Sequence, residues 1–179
     1  MTFARLLPLC LLLGLSPAGA QTIERHEIDA GAAALEAKVI GWRRDFHAHP
    51  ELGNREVRTA GLVAAHLRAL GFDSVRTGVA HTGVIGLLTG ARPGKVVALR
   101  ADMDALPVTE QTGLAFASTV RTTYNGQDVG VMHACGHDAH IAILMGVAEL
   151  LAARRDRIPG SVKFIFQPAE EGPPADEDG

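Results

Sequence analysis

Two apolar runs in this chain pass without a break into clusters of acidic residues. Val96-Val97-Ala98-Leu99 leads into Arg100-Ala101-Asp102-Met103-Asp104, and Ser161 to Gln167 leads into Pro168-Ala169-Glu170-Glu171-Gly172. Each run reads as a short buried strand. In α/β sheets ligands sit at the carboxyl ends of the strands, so two acidic clusters in those places are expected to meet at one edge. Carboxylates gathered there repel one another unless protons or a cation offset them.

The remaining elements fit that architecture. Ile28, Ala32, Leu35, Val39, Trp42 and Phe46 recur at helical spacing, and that segment is expected to stop at His47-Ala48-His49-Pro50, where proline disfavours helix at the residue before it. A second amphipathic helix carries Val57, Ala60, Ala64, Leu67 and Leu70, with Asn54 as its expected cap and Gly71 just past its end. Val84 to Leu88 and Val96 to Leu99, separated by the turn-rich Thr89 to Gly94, predict a hairpin. A long helix is expected over Ala139 to Ala153, broken by Ile158-Pro159-Gly160 before the Ser161 to Gln167 strand. Helices alternating with apolar strands predict an α/β fold, with helices packed on a mixed, largely parallel sheet.

The first 20 residues read differently. Arg5 precedes a ten-residue apolar stretch, Leu6 to Leu15, and Ser16 to Ala20 offers a small-x-small cleavage site. Ten residues with Pro8 inside them are too short to span a bilayer, so residues 1–20 are expected to be a cleaved export signal. The mature part, 21–179, would then be periplasmic or secreted, with no stable membrane anchor. Cleavage would remove Cys10 and leave Cys135 as the one cysteine, unable to form an internal disulfide. With 17 basic and 20 acidic residues and no basic stripe, nucleic acid is not an expected partner. No helix or strand closes the fold after the acidic tail Ala175 to Gly179, so the chain reads as truncated.

His133-Ala134-Cys135-Gly136-His137-Asp138-Ala139-His140 supplies the further ligands that the acidic edge needs. It lies just before the long helix, where backbone amides and the helix dipole favour an anionic thiolate. Gly136 permits a bend that points Cys135 and His137 at one ion, and thiolate, imidazole and carboxylate together suit a first-row divalent metal. Glu170 and Glu171 are neighbours after a strand and point in different directions, so one can bind metal while the other faces an attacking water. A metal brings such a water's pKa towards about 7, and the free carboxylate can take its proton and return it to a leaving nitrogen. Asp138 reads equally well as a helix cap, and His140 as a surface or core histidine. His133 is unassigned beyond a supporting contact. His47 and His49 are read as outside the ligand set, His66 as structural, and Asp176, Glu177 and Asp178 as a solvated tail.

These motifs resemble the M20 metallopeptidase family, and Arg44 to Leu52 is similar to the N-terminal segment of its branch that cleaves N-acyl amino acids, such as hippurate and auxin-conjugate hydrolases. The resemblance covers about residues 30 to 174. It implies a zinc-exopeptidase-like catalytic domain, incomplete here, in which Cys135 bridges two metal ions, His137 binds one and Glu171 the other. It further implies Glu170 as general base and Asp104 as the acidic residue that orients the ligands, while Asp102 stands where other branches have a metal-binding histidine. The ions would be Mn²⁺ or Zn²⁺, with Co²⁺ or Ni²⁺ as further options. The substrate would be a small N-acyl amino acid or similar amide. The full-length family member carries a lid domain used for dimerisation and two further histidine ligands, none of them within this chain. Two alternatives compete: a hydrolase with Cys135 as nucleophile, and a truncated product without catalysis.

Overall fold

A computed structural model of the chain describes residues 23–175; the segment read as an export signal, Cys10 and the acidic tail from residue 176 lie outside the described residues. Helix α1 (Arg25–Ala48) and helix α2 (Val57–Ala69) open the fold, followed by strands β1 (Ser74–Val79), β2 (Gly83–Thr89) and β3 (Arg92–Asp102). A small hairpin of β4 (Arg121–Tyr124) and β5 (Gln127–Gly130) precedes helix α3 (His137–Ala152) and strand β6 (Pro159–Gln167).

The main sheet has the order β1-β2-β6-β3. It is mixed, as expected: β1–β2 and β2–β6 run antiparallel, and β3–β6 runs parallel. The hairpin predicted from the Val84 and Val96 runs does not form. β6 lies between β2 and β3, pairing Ile85 with Ile165 on one side and Arg100 with Ile165 on the other. β6 alternates sides, placing Val162, Phe164 and Phe166 in the core, and pairs along both of its edges in this central place. That place puts the two acidic clusters together. Asp102 is in register with Gln167, and the Met103 amide donates to the Gln167 carbonyl at 2.8 Å.

The core lies between the sheet and helices α2 and α3, where Val63, Leu67, Ile141 and Met145 meet Val84, Leu88, Phe164 and Phe166. Phe72 packs edge-on against Phe164, with ring centroids 5.1 Å apart. Helix α1 packs on α3 and buries only Phe46 and His47 fully. His66, read as structural, has its Nε2 3.1 Å from the Met145 carbonyl, and its ring packs edge-on against Trp42.

The start of α2 departs from expectation. Asn54 does not cap it but sits in the preceding turn at φ +63°. Glu51 takes over, its two carboxylate oxygens accepting the Arg58 and Thr59 amides at 2.9 and 2.8 Å. Glu56, at the N-cap position, is completely buried and turns towards the sheet. Its carboxylate accepts the Ala169 amide at 2.8 Å and the Thr82 hydroxyl. Burial pushes the Glu56 carboxyl up, which these two donors counteract. Ala169 is itself held at φ +47°, and Gly53 packs so close beneath it that a side-chain carbon there would lie 3.1 Å from the Ala169 Cα. Glu56 and Gly53 therefore seat the loop that carries Glu170 and Glu171.

At the other end of the fold, Arg157 makes two hydrogen bonds to Glu27, at 2.8 and 2.7 Å, tying the start of α1 to the turn before β6. The Arg157 guanidinium holds the Glu27 carboxyl down at about 2.

Two expectations follow for stability. Replacing Glu56 with Ala leaves the Ala169 amide and Thr82 hydroxyl without their buried partner, so unfolding in urea should show a loss of about 1–3 kcal/mol. Glu27 has its folded pKa depressed, so its contribution is present above the ordinary value of 4.5 and is lost as pH falls towards about 2. Urea midpoints measured across that window should fall less steeply for Glu27→Gln than for the unmodified chain.

Candidate metal centre

The sheet delivers three groups of polar side chains to one rim. β3 brings Asp102 and, one turn of chain later, Asp104; β6 brings Glu170 and Glu171; the segment entering α3 brings Cys135 and His137. Gly136 makes the last possible. It stands at the N-cap of α3 with φ +92°, a conformation side-chain-bearing residues rarely adopt, and it lets the chain turn from Cys135 into the helix.

His137 is the fixed point of the cluster. It is buried, and its Nδ1 donates to the Asp104 carbonyl at 2.8 Å, leaving Nε2 free to face the rim. Asp104, 1% exposed, holds two parts of the cluster at once. Its Oδ2 accepts the Glu171 amide at 2.8 Å, and its Oδ1 lies 3.2 Å from His137 Nδ1. Glu170 is partly exposed, with Oε2 3.8 Å from His137 Nε2 and Oε1 3.8 Å from the Arg100 guanidinium. One ligand atom each from Cys135, His137 and Glu171 lie within 4.8 Å of one another. A first-row ion with bonds of about 2.0–2.3 Å fits such a set. The exposed Cys135 and Glu171 need only a small closure onto the buried imidazole.

The electrostatics argue the same way. The α3 dipole was expected to favour a thiolate at Cys135, but the structure reverses that expectation. Its thiol is pushed up, first by its hydrogen bond to the Glu171 carboxylate, then by burial and by the negative charge of Glu171, Glu170 and Asp104. The carboxylates outweigh the helix end. A divalent cation among the same groups reverses the sign, because a coordinated thiol is deprotonated outright. The donor set therefore fits a metal better than it fits a free reactive cysteine.

Other histidines fall elsewhere. His49 is exposed and bonds the Asp45 carbonyl at 2.8 Å. His47 is buried and has both nitrogens engaged, Nδ1 with Asp138 at 2.8 Å and Nε2 with Glu110 at 3.1 Å. Asp138 is no helix cap in the ordinary sense: besides its own helix it is gripped by Arg43, with Nε at 2.7 Å. Burial pushes the Glu110 carboxyl up, yet hydrogen bonds from Thr112, the Ser118 amide and His47 outweigh that and leave it lowered. This Arg43–Asp138–His47–Glu110 chain clamps α1 and the 107–118 loop to the residue next to His137. Sequence reasoning did not find Arg43, Glu110 or Glu56, because none stands in a ligand-like pattern. His133 is buried with neither ring nitrogen hydrogen-bonded, and burial pulls it down to about 4, so it is neutral near pH 7. His140 Nδ1 lies 3.5 Å from Asp102 Oδ2.

Comparison with known proteins agrees with this geometry. Residues 98–179 match peptidase family M20/M25/M40. Thermostable carboxypeptidase 1 of Saccharolobus solfataricus is 51% identical over 138 residues, covering 76% of this chain and 33% of that protein. An N-acyl-L-amino acid amidohydrolase of Geobacillus stearothermophilus is 44% identical over 147 residues, covering 82% of this chain and 37% of its own length. A Bacillus subtilis crystal structure, described as a dinuclear metal binding peptidase from the M20 family, superposes with a TM-score of 0.68 at 45% identity, over 78% of this chain and 36% of that one. The chain thus spans about a third of the length of the curated relatives it matches. The rim of Cys135, His137 and the paired glutamates lies within residues 98–179, the part of the chain that matches peptidase family M20/M25/M40.

Proposed function

We propose that the protein carrying this chain hydrolyses the amide bond of N-acyl amino acids or similar small amides with the help of two divalent cations, Mn²⁺ or Zn²⁺. The observation that carries this reading is the convergence of Cys135, His137 and Glu171 on one point, with Glu170 beside them. The names of two relatives, an amidohydrolase and a carboxypeptidase, support the same bond class. The dinuclear description of the Bacillus subtilis structure supports two ions. Residues 1–20, read as an export signal, support a periplasmic or secreted site of action.

Cys135, His137 and Glu171 would hold the metal. Bound there, divalent cations would supply Lewis acidity for the amide carbonyl and lower the pKa of a nearby water. Glu170 takes the proton from the attacking water and passes it to the amide nitrogen as the carbon–nitrogen bond breaks. Asp104 positions two of the ligand residues, holding His137 by its carbonyl and the Glu171 amide by its carboxylate. Cys135 as a nucleophile has less support, since its hydrogen bond to the Glu171 carboxylate pushes its thiol up, away from the reactive thiolate.

Glu170→Gln keeps the shape of the loop and removes the base. Hydrolysis of an N-acetyl amino acid should drop by about 10²–10⁴-fold while metal content, read by elemental analysis, stays near that of the parent. Unchanged turnover would remove Glu170 from the reaction. Exhaustive chelation should abolish hydrolysis, and adding back Mn²⁺ or Zn²⁺ should restore it. Activity that persists in the metal-stripped protein would instead support the thiol reading.

A further inference from the structure

We propose that Asp102, His137 and His140 form a second binding site for a single first-row divalent cation, in competition with Cys135 and Glu171 for His137. This goes beyond the hydrolytic reading and does not require it. One ligand atom from each of the three residues lies within 4.8 Å of the others, a second such triad on the same rim.

The residues are placed by different elements for clear reasons. His137 and His140 are three apart in the first turn of α3, so they lie on one face, with ring centroids 5.3 Å apart and planes tilted by 31°. Asp102 ends β3 and reaches towards that face, its Oδ2 3.5 Å from His140 Nδ1. Asp102 is only 7% exposed, and its Oδ1 accepts no hydrogen bond; the Arg100 Nε lies 3.0 Å from it as an ion pair without hydrogen-bond geometry. A carboxylate has lone pairs on both oxygens, so Arg100 can neutralise Oδ1 while Oδ2 faces a cation.

The competition follows from the tautomer of His137. Its Nδ1 is committed to the Asp104 carbonyl, which leaves Nε2 as the one lone pair the ring offers to any metal. That lone pair can serve Cys135 and Glu171 on one side, or Asp102 and His140 on the other, but not both at once. The two triads differ in chemistry. Two imidazoles and a carboxylate make a set without sulfur, suited to ions such as Mn²⁺, Co²⁺, Ni²⁺ or Zn²⁺, whereas the thiolate set favours softer ions. A cation that enters the sulfur-free site takes His137 away from the other.

Cobalt separates the two sites by colour, since only a thiolate ligand adds intense sulfur-to-metal absorption in the near ultraviolet. The full chain and its variants would be titrated with Co²⁺ alone, with far-UV circular dichroism confirming that each is folded. Cys135→Ala should still bind one Co²⁺, now without the thiolate band. Adding His140→Ala to it should weaken that binding by more than about tenfold, the least expected when even a supporting group of a metal site is lost. Asp102→Asn in place of His140→Ala should do the same. A Cys135→Ala chain that binds no Co²⁺, or binds it equally well after either second substitution, overturns the proposal. The thiolate band of the unmodified chain tests the Cys135 triad separately, so failure of one site is distinguishable from failure of the other.

Discussion

The repulsion among carboxylates at the ends of β3 and β6 is the constraint on which this rim depends. Parallel pairing of the two strands sets Asp102 level with Gln167, so Asp104, Glu170 and Glu171 leave the sheet side by side. Burial makes the problem sharper, since Asp104 has almost no contact with water. The chain relieves it locally with what lies nearby: the Glu171 amide and the His137 ring on Asp104, and Arg100 on Asp102. These are partial measures. Cys135 registers what is left over: its thiol is pushed up first by its hydrogen bond to Glu171, then by burial and by the charge of Glu171, Glu170 and Asp104. A cation among these groups would offset that charge and favour the thiolate.

The surrounding structure is arranged so that the rim stays in place under that repulsion. Two buried polar supports do this from opposite sides. Glu56 and Gly53 hold the Ala169 turn from below, and the Arg43–Asp138–His47–Glu110 chain holds the entry to α3 from the side. Each support uses a fully buried carboxylate that has several donors, which is the condition under which burying one is tolerable. Both lie one residue or two away from a candidate ligand. They act on the ligands only through the backbone, so they fix position without adding charge at the cation itself.

The parts of this arrangement that could be read from the sequence are those encoded by local periodicity. The spacing of Val39, Trp42 and Phe46, or of Ala60, Ala64 and Leu67, needs no knowledge of partners to declare a helix, and the apolar runs ending at Leu99 and Gln167 declare strands in the same way. The clustering of acids after two strands similarly pointed to one rim. What failed were decisions that depend on what packs against what. Val84 to Leu88 and Val96 to Leu99 looked like a hairpin because they are close in sequence, yet β6 enters between them and pairs with both. Asn54 has the chemistry of a cap, but Glu51 reaches the same amides from further back. Asn125-Gly126, with φ of +50° and +75°, carried a legible signal for the β4–β5 turn that the periodicity of longer runs overshadowed. Glu56 and Glu110 had no sequence signal at all, since a buried glutamate is recognisable only by the donors that fold brings to it.

A last consequence concerns how metal binding and folding are related. His137 is buried and locked by Asp104, while Cys135, Glu171 and His140 are exposed side chains at the surface of the rim. The rim therefore presents one buried, hydrogen-bonded imidazole with several exposed partners around it. The hydrophobic core, from Val63 and Leu67 through Phe164 to Met145, lies behind His137 and makes no use of the ligand atoms. In a small zinc module the ion supplies the folding energy, because no core exists without it. Here a core of apolar side chains stands apart from the ligand atoms, so a cation bound at the rim would add stability through mass action on the folded state. That division lets the same His137 serve different ligand partners without disturbing the sheet beneath it.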